Sequence, residues 1–271
     1  MQQLSEPIVR APIVAILIIE VAALVARAFL EVHLIDNGEP KPFAQDLSYL
    51  VVPPILIVLM YPILRQHGRY LLSLLRRNDL TLRLVFLSML LGVTLRLTYW
   101  GGLISLVSFG VLRNDNPGAV VGPAISFGCP EAHVLALSFL VVSFLIPIIE
   151  EVINRGLILP SLMQRGKILA VVLSSVLFAT MHAPQATILT FLIGLFLAAQ
   201  MINLRTLWAT MITHATYNAL SVLDWRCAST QWNPDVTTPS MTGAGLIASA
   251  IATVGLLLSI YFAVIYKQRD A

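Results

Sequence analysis

Apolar residues in this chain run in long blocks separated by short polar loops. Blocks of roughly 17–25 mostly apolar residues read as membrane-spanning helices. Eight are found, at about 11–32, 47–64, 82–108, 134–159, 168–183, 187–203, 207–224 and 243–266. The fifth and sixth are short and either fuse or shift at their ends. Pro53 and Pro54 are expected to kink the second span, which membrane helices tolerate. No internal repeat and no low-complexity segment interrupts the pattern. The expected fold is therefore all-α: a polytopic membrane helical bundle of about eight transmembrane helices, one domain over 1–271.

The loops alternate in basic content. Arg65, Arg69, Arg76, Arg77 and Arg83 crowd one segment. Arg10, Arg165, Lys167, Arg205, Lys267 and Arg269 fall on the same expected side, whereas the other side holds only Lys41, Arg113 and Arg226 beside several acids. The positive-inside rule then places both termini in the cytoplasm. The small-residue run Ala26-Arg27-Ala28 mimics a cleavage site. The weak n-region (Glu6, Arg10) and the interrupting Glu20 instead favour a retained first span.

Composition sharpens this picture. Of 271 residues, 58% are hydrophobic and 11% charged, against roughly 25% charged in soluble domains. A soluble enzyme on an anchor is excluded, since no polar stretch is long enough for a separate domain. The net charge of +3 is small, and its basic residues read as orientation signals, not as a nucleic-acid surface. Cys129 and Cys227 both fall on the non-cytoplasmic side, where a disulfide and two unpaired thiols remain equally open.

Chemistry concentrates where charge is costly. Glu150, Glu151 and Arg155 lie inside the fourth span, at about 3 kcal/mol or more for each ionised group. Glu151 and Arg155 are i,i+4 and share a helix face. Glu150 lies about 100° away, so one glutamate is held by Arg155 while the other points into a cavity between helices. Phe178 and His182 repeat the i,i+4 spacing on the fifth span, and His214 and Asn218 on the seventh. At about 1.5 Å per residue, Glu150 lies roughly 14 Å, His214 roughly 11 Å and His182 roughly 21 Å from the cytoplasmic ends of their spans. Those depths permit one shared site. Glu20, Arg27 and Arg96 are isolated at membrane depth and read as snorkelling or helix-pairing residues. His33, His67 and His133 carry no constellation.

Three ordered motifs carry a resemblance. Glu150-Glu151-Val-Ile-Asn-Arg155-Gly156 resembles the EExxxR motif of the CAAX-protease and bacteriocin-processing family. Phe178-Ala-Thr-Met-His182 resembles its FxxxH motif, and His214-Ala-Thr-Tyr-Asn218 its HxxxN motif. The resemblance covers roughly 134–224 as a catalytic core. It implies an intramembrane peptidase similar to the endopeptidase that trims prenylated CAAX tails. It implies that Glu150 activates water with Arg155 and Glu151 in support, that His182 contacts the water, and that His214 and Asn218 line an oxyanion site.

Desolvation of a glutamate and an amide aimed at an oxyanion fit those roles physically. No cofactor is expected. The alternative is a zinc ion on Glu150, His182 and His214, a legitimate His₂Glu set, and the family has been described in both ways. The partners expected are the lipid bilayer and a protein or peptide substrate, either lipidated or plain. The chain is expected in a prokaryotic plasma membrane, its site open to the cytoplasmic side. Two competing functions remain: a non-catalytic immunity or scaffold protein, and a proton-coupled transporter built on the same Glu/His chain.

Overall fold

The computed structural model describes residues 9–108, 122–127, 129–182, 186–233 and 242–265. It is an all-helical bundle. In chain order the helices are α1 (Ile13–Asp36), α2 (Lys41–Tyr49), α3 (Val52–Ser73), α4 (Leu82–Ser108), α5 (Ala132–Met163), α6 (Lys167–Thr180), α7 (Thr187–Leu204), α8 (Leu207–Cys227) and α9 (Thr242–Ile260). Every expected span falls on a helix. Lys267 and Arg269 lie outside the described residues, as does Arg113.

Six helical stretches among the described residues are long and apolar enough to cross a membrane: α1, α2 with α3, α4, α5, α7 and α9. The protein is an integral, multi-pass membrane protein. Helix α6 has 14 residues, about 21 Å of rise, less than the roughly 30 Å of a bilayer core. Helix α8 has 21 residues, but its threonines, His214 and Asn218 keep it out of the apolar six.

Two local details differ from the sequence expectation. Pro53 and Pro54 do not kink a span; they open α3. The first turn of a helix has no use for the missing N–H, so proline is tolerated there. The break lies just before, where Leu50 and Val51 bond back only three residues. The second detail is a short antiparallel ladder at one end of the bundle, pairing β1 (Gly122–Phe127) with β2 (Ala228–Asn233). The disulfide Cys129–Cys227 closes beside it. It joins positions 98 residues apart, so its removal is expected to cost about 2–4 kcal/mol. A fall in Tm of Cys129→Ser/Cys227→Ser in detergent checks this, with the buried centre described below unaffected.

Two apolar clusters hold the bundle. One gathers α1, α3, α5, α6, α7 and α8 around Leu157, Ile158 and Leu207. The other joins α4, α7, α8 and the segment after α9 around Leu91, Leu197 and Tyr217. Helix α8 belongs to both. Small residues set its distance from α4: a Cβ on Gly92 would lie 2.7 Å from the Thr213 carbonyl.

The lone charges also find places. Arg27 pairs with Glu31 at 2.7 Å and lies over the Tyr49 ring. Arg96 is buried between α4 and α8, donating to the Tyr217 hydroxyl at 3.2 Å. Both are helix-pairing residues. Glu20 is buried on the inward face of α1 with Ile16 and Ala23.

Candidate active site

Helix α5 carries the glutamates on a broken ladder. Its α-helical turn Ile146–Glu151 is flanked by π-helical segments, Phe139–Leu145 and Val152–Ile158. Each π segment runs into a proline, Pro147 and Pro160. Proline offers no N–H and crowds the carbonyl four residues back, and a wider turn relieves that clash. Such π turns recur at functional sites.

The carbonyl of Val142, five residues before Pro147, is thereby left without its helical donor. The Asn218 side chain of α8 supplies one, Nδ2 to Val142 O at 2.9 Å. A neighbouring helix re-satisfies the freed group, as membrane-embedded backbone requires. Within α5 itself, the Asn154 side chain donates to the Glu150 carbonyl at 3.0 Å.

His214 is where the glutamates meet. Its Nδ1 lies 2.9 Å from Glu151 Oε1. Its Nε2 faces Glu150 Oε2 at 3.7 Å. The sequence suggested that the two carboxylates, 100° apart, serve different spaces. They instead converge on opposite edges of one imidazole, because α8 packs directly against this turn of α5. Their environments still differ: the Glu151 side chain is 0% exposed and that of Glu150 25%.

Arg155 completes the buried centre. Its Nε stands 3.3 Å from Glu151 Oε2, as the i,i+4 spacing foretold. Its Nη2 donates to the Gly194 carbonyl of α7 at 3.3 Å. Gly194 also lets α6 and α7 pack closely, since a Cβ there would press on Ser175 of α6 at 3.0 Å. Phe178 sits beneath the guanidinium, ring centroid 4.4 Å from Cζ. The same ring meets His182 edge-on at 4.7 Å and His214 at 5.7 Å. One buried aromatic thus gathers Arg155 and both histidines.

His182 lies just past the end of α6 and its Nδ1 pairs with the Phe178 carbonyl at 2.8 Å. That contact leaves Nε2 as the edge available for chemistry. Among the described residues His182 makes no hydrogen bond to either glutamate. Sequence reasoning passed over Gly92, Gly194, Asn154 and Pro147. The signals were there in part: a proline inside a charged span, and glycines facing the site helices.

A zinc ion on Glu150, His182 and His214 would need those three side chains gathered. His214 has its Nδ1 held by a carboxylate, as a metal-binding imidazole would. The remaining donors are not gathered: among the described residues no three His, Cys, Asp or Glu side chains come together as a metal cluster.

Several buried polar atoms keep unused capacity. Glu151 Oε2 and the Arg155 Nε and Nη1 atoms make no well-formed hydrogen bond among the described residues. An interior ion pair with spare donors and acceptors can orient a polar ligand, whereas a purely structural pair is costly unless fully satisfied. Fold and site together define a polytopic membrane protein with a buried Glu–His–Arg centre.

Residues 132–220, a third of the chain, match the Rce1-like family, described as type II CAAX prenyl endopeptidase Rce1-like. The match spans every residue of the centre just described, from Glu150 to Asn218. No curated protein and no solved structure matches the chain. The matched family is one of peptidases, which supports a membrane peptidase acting on a peptide substrate.

One prediction follows from the α4–α8 contact. Gly92→Ala forces a methyl against the Thr213 carbonyl and, at 2.8 Å, against Thr216 Cβ. Backbone yields little, so α8 must move. Overpacking of this kind costs about 1–3 kcal/mol, and a shift of His214 by an ångström costs up to about 10²-fold in rate. The expected result is a lower kcat with little change in KM, read by steady-state kinetics of a folded variant.

Proposed function

We propose that this protein is an intramembrane endopeptidase that hydrolyses a peptide bond with a glutamate-activated water. The observation that carries the reading is the convergence of Glu150 and Glu151 on His214 in an apolar interior. A separation of 3.7 Å between Glu150 and His214 Nε2 is too long for a direct hydrogen bond, and a water seated beside the two atoms can touch both. Glu150, the more exposed of the pair, takes the proton as the water oxygen attacks the carbonyl carbon. Collapse of the tetrahedral intermediate breaks the C–N bond, and the proton passes to the departing amine. Products are a carboxylate and an amine, with no net proton needed from elsewhere.

The other residues position this chemistry. Glu151, held by Arg155, fixes the His214 ring and its tautomer. Asn218 has one N–H tied to Val142 and a second to offer to the oxyanion. His182 Nε2 contacts the water or the leaving group. The substrate enters as an extended peptide from the cytoplasmic side, lipidated or plain, in keeping with the matched family.

The test uses purified protein in liposomes with a fluorogenic panel of prenylated and plain peptides. Wild type is compared with Glu150→Gln, each with and without a strong chelator. Cleavage lost in the variant and untouched by chelator is the expected outcome. Loss with chelator and rescue by zinc would convert the site to a metal centre. Undiminished cleavage by a folded Glu150→Gln protein would sink the reading.

A further inference from the structure

One end of the bundle is strongly basic and its surface is not accounted for by the buried centre. On α3, Arg65, Arg69 and Leu72 form one exposed stripe at i, i+4, i+7, and Arg76 and Arg77 follow beyond the helix end. No ion pair or hydrogen bond engages the side chains of these four arginines among the described residues. Asp79 is the one acid between Arg65 and Arg83. At the opposite end the described surface holds Asp36, Glu39 and Glu131 against Lys41.

Contacts bind this basic end into one platform. The α7–α8 turn docks on the end of α3, with Leu207 N and Thr206 Oγ1 both donating to the Leu74 carbonyl, at 3.0 and 3.1 Å. On the other flank, Ala11 N donates to Ser161 Oγ at 2.9 Å, and Gln164 Nε2 to the Val9 carbonyl at 3.0 Å. Those bonds bring exposed Arg10 to the α5–α6 turn that carries Arg165 and Lys167.

Large apolar side chains stand exposed among the cations. Leu72 is 70% exposed, Leu82 89% and Ile168 83%. In an aqueous surface such residues are a liability beside unpaired charges. At a bilayer boundary they enter the acyl layer while the arginines stay at headgroup level.

We propose that this end of the bundle, centred on Arg65, Arg69, Arg76 and Arg77, is a binding surface for anionic phospholipid headgroups. The cations supply charge complementarity and geometry for phosphate, and the leucines set the depth. The interleaving of apolar anchors with charge favours a lipid over an acidic soluble partner. The proposal is independent of the peptidase reading, since it concerns a different surface and a binding event.

The test reconstitutes the full chain in phosphatidylcholine vesicles and adds trace spin-labelled phosphatidylglycerol or spin-labelled phosphatidylcholine. Electron paramagnetic resonance gives the fraction of each label immobilised at the protein. The anionic label is expected to be held at least about fivefold over the zwitterionic one, with the preference falling at high salt. Arg65→Ser/Arg69→Ser/Arg76→Ser/Arg77→Ser is expected to abolish it, and Lys41→Ser, at the other end, to leave it intact. The substituted side chains are exposed, and an unchanged melting curve in phosphatidylcholine confirms folding. Equal immobilisation of the two labels would overturn the proposal, as would a preference that survives the four substitutions or high salt. Binding of a glutamate-rich peptide without any lipid preference would assign the surface to a protein partner and overturn it equally.

Discussion

Glu150→Gln is expected to lower the rate of peptide cleavage by about 10²–10⁴-fold, the usual contribution of a positioned general base, while insertion and melting stay as in wild type. The separation of the two effects rests on where the side chain sits. Glu150 is a quarter exposed and has no arginine of its own. The isosteric amide removes the basic oxygen and adds N–H donors that the partly open surroundings can accept. Its backbone carbonyl accepts from Asn154, and the substitution leaves that intact. The measurement is kcat/KM beside a thermal melt of the same preparation. A folded variant that keeps its rate would remove Glu150 from the chemistry. A variant that fails to insert would make the group structural.

Much of this was legible in the sequence, and the reasons are physical. Long apolar blocks have one reading, so the helices appear where the hydropathy places them. The i,i+4 pairs Glu151–Arg155 and Phe178–His182 meet in the structure, because helical spacing is local and survives packing. What was not legible is the relation between helices. That Glu150 and Glu151 share His214 depends on how α8 lies against α5, and no spacing along one helix encodes that. Asn218 shows the same limit. Its target is a carbonyl left by Pro147, which is seen only when both helices are in view. The two prolines in the first turn of α3 were misplaced for a smaller reason: without the boundary at Leu50, a proline pair in an apolar run reads as a kink.

The largest stability effect is expected at the Glu151–Arg155 pair, and it should fall mostly away when both residues are removed. The pair is buried, 0% and 1% exposed. Arg155→Leu leaves the Glu151 charge in an apolar interior with no cation but a protonated His214 and only the Thr210 hydroxyl besides. Glu151→Leu strands a guanidinium whose other supports are one carbonyl, the face of Phe178 and the more distant charge of Glu150. Breaking a buried ion pair from either side costs about 3–5 kcal/mol. A matched apolar replacement of both partners is often neutral or stabilising. The double variant Glu151→Leu/Arg155→Leu should therefore melt well above either single one and close to wild type, yet remain inactive. It has lost the carboxylate that orients His214 and the cation beside it. Melting curves and cleavage rates of the four proteins form a thermodynamic cycle, and the coupling energy should have the sign of a rescue. Additive losses in the double variant would mean that the two charges do not depend on each other. Recovered activity in the double variant would mean that His214 needs no carboxylate at Nδ1, and would remove the pair from the working site altogether.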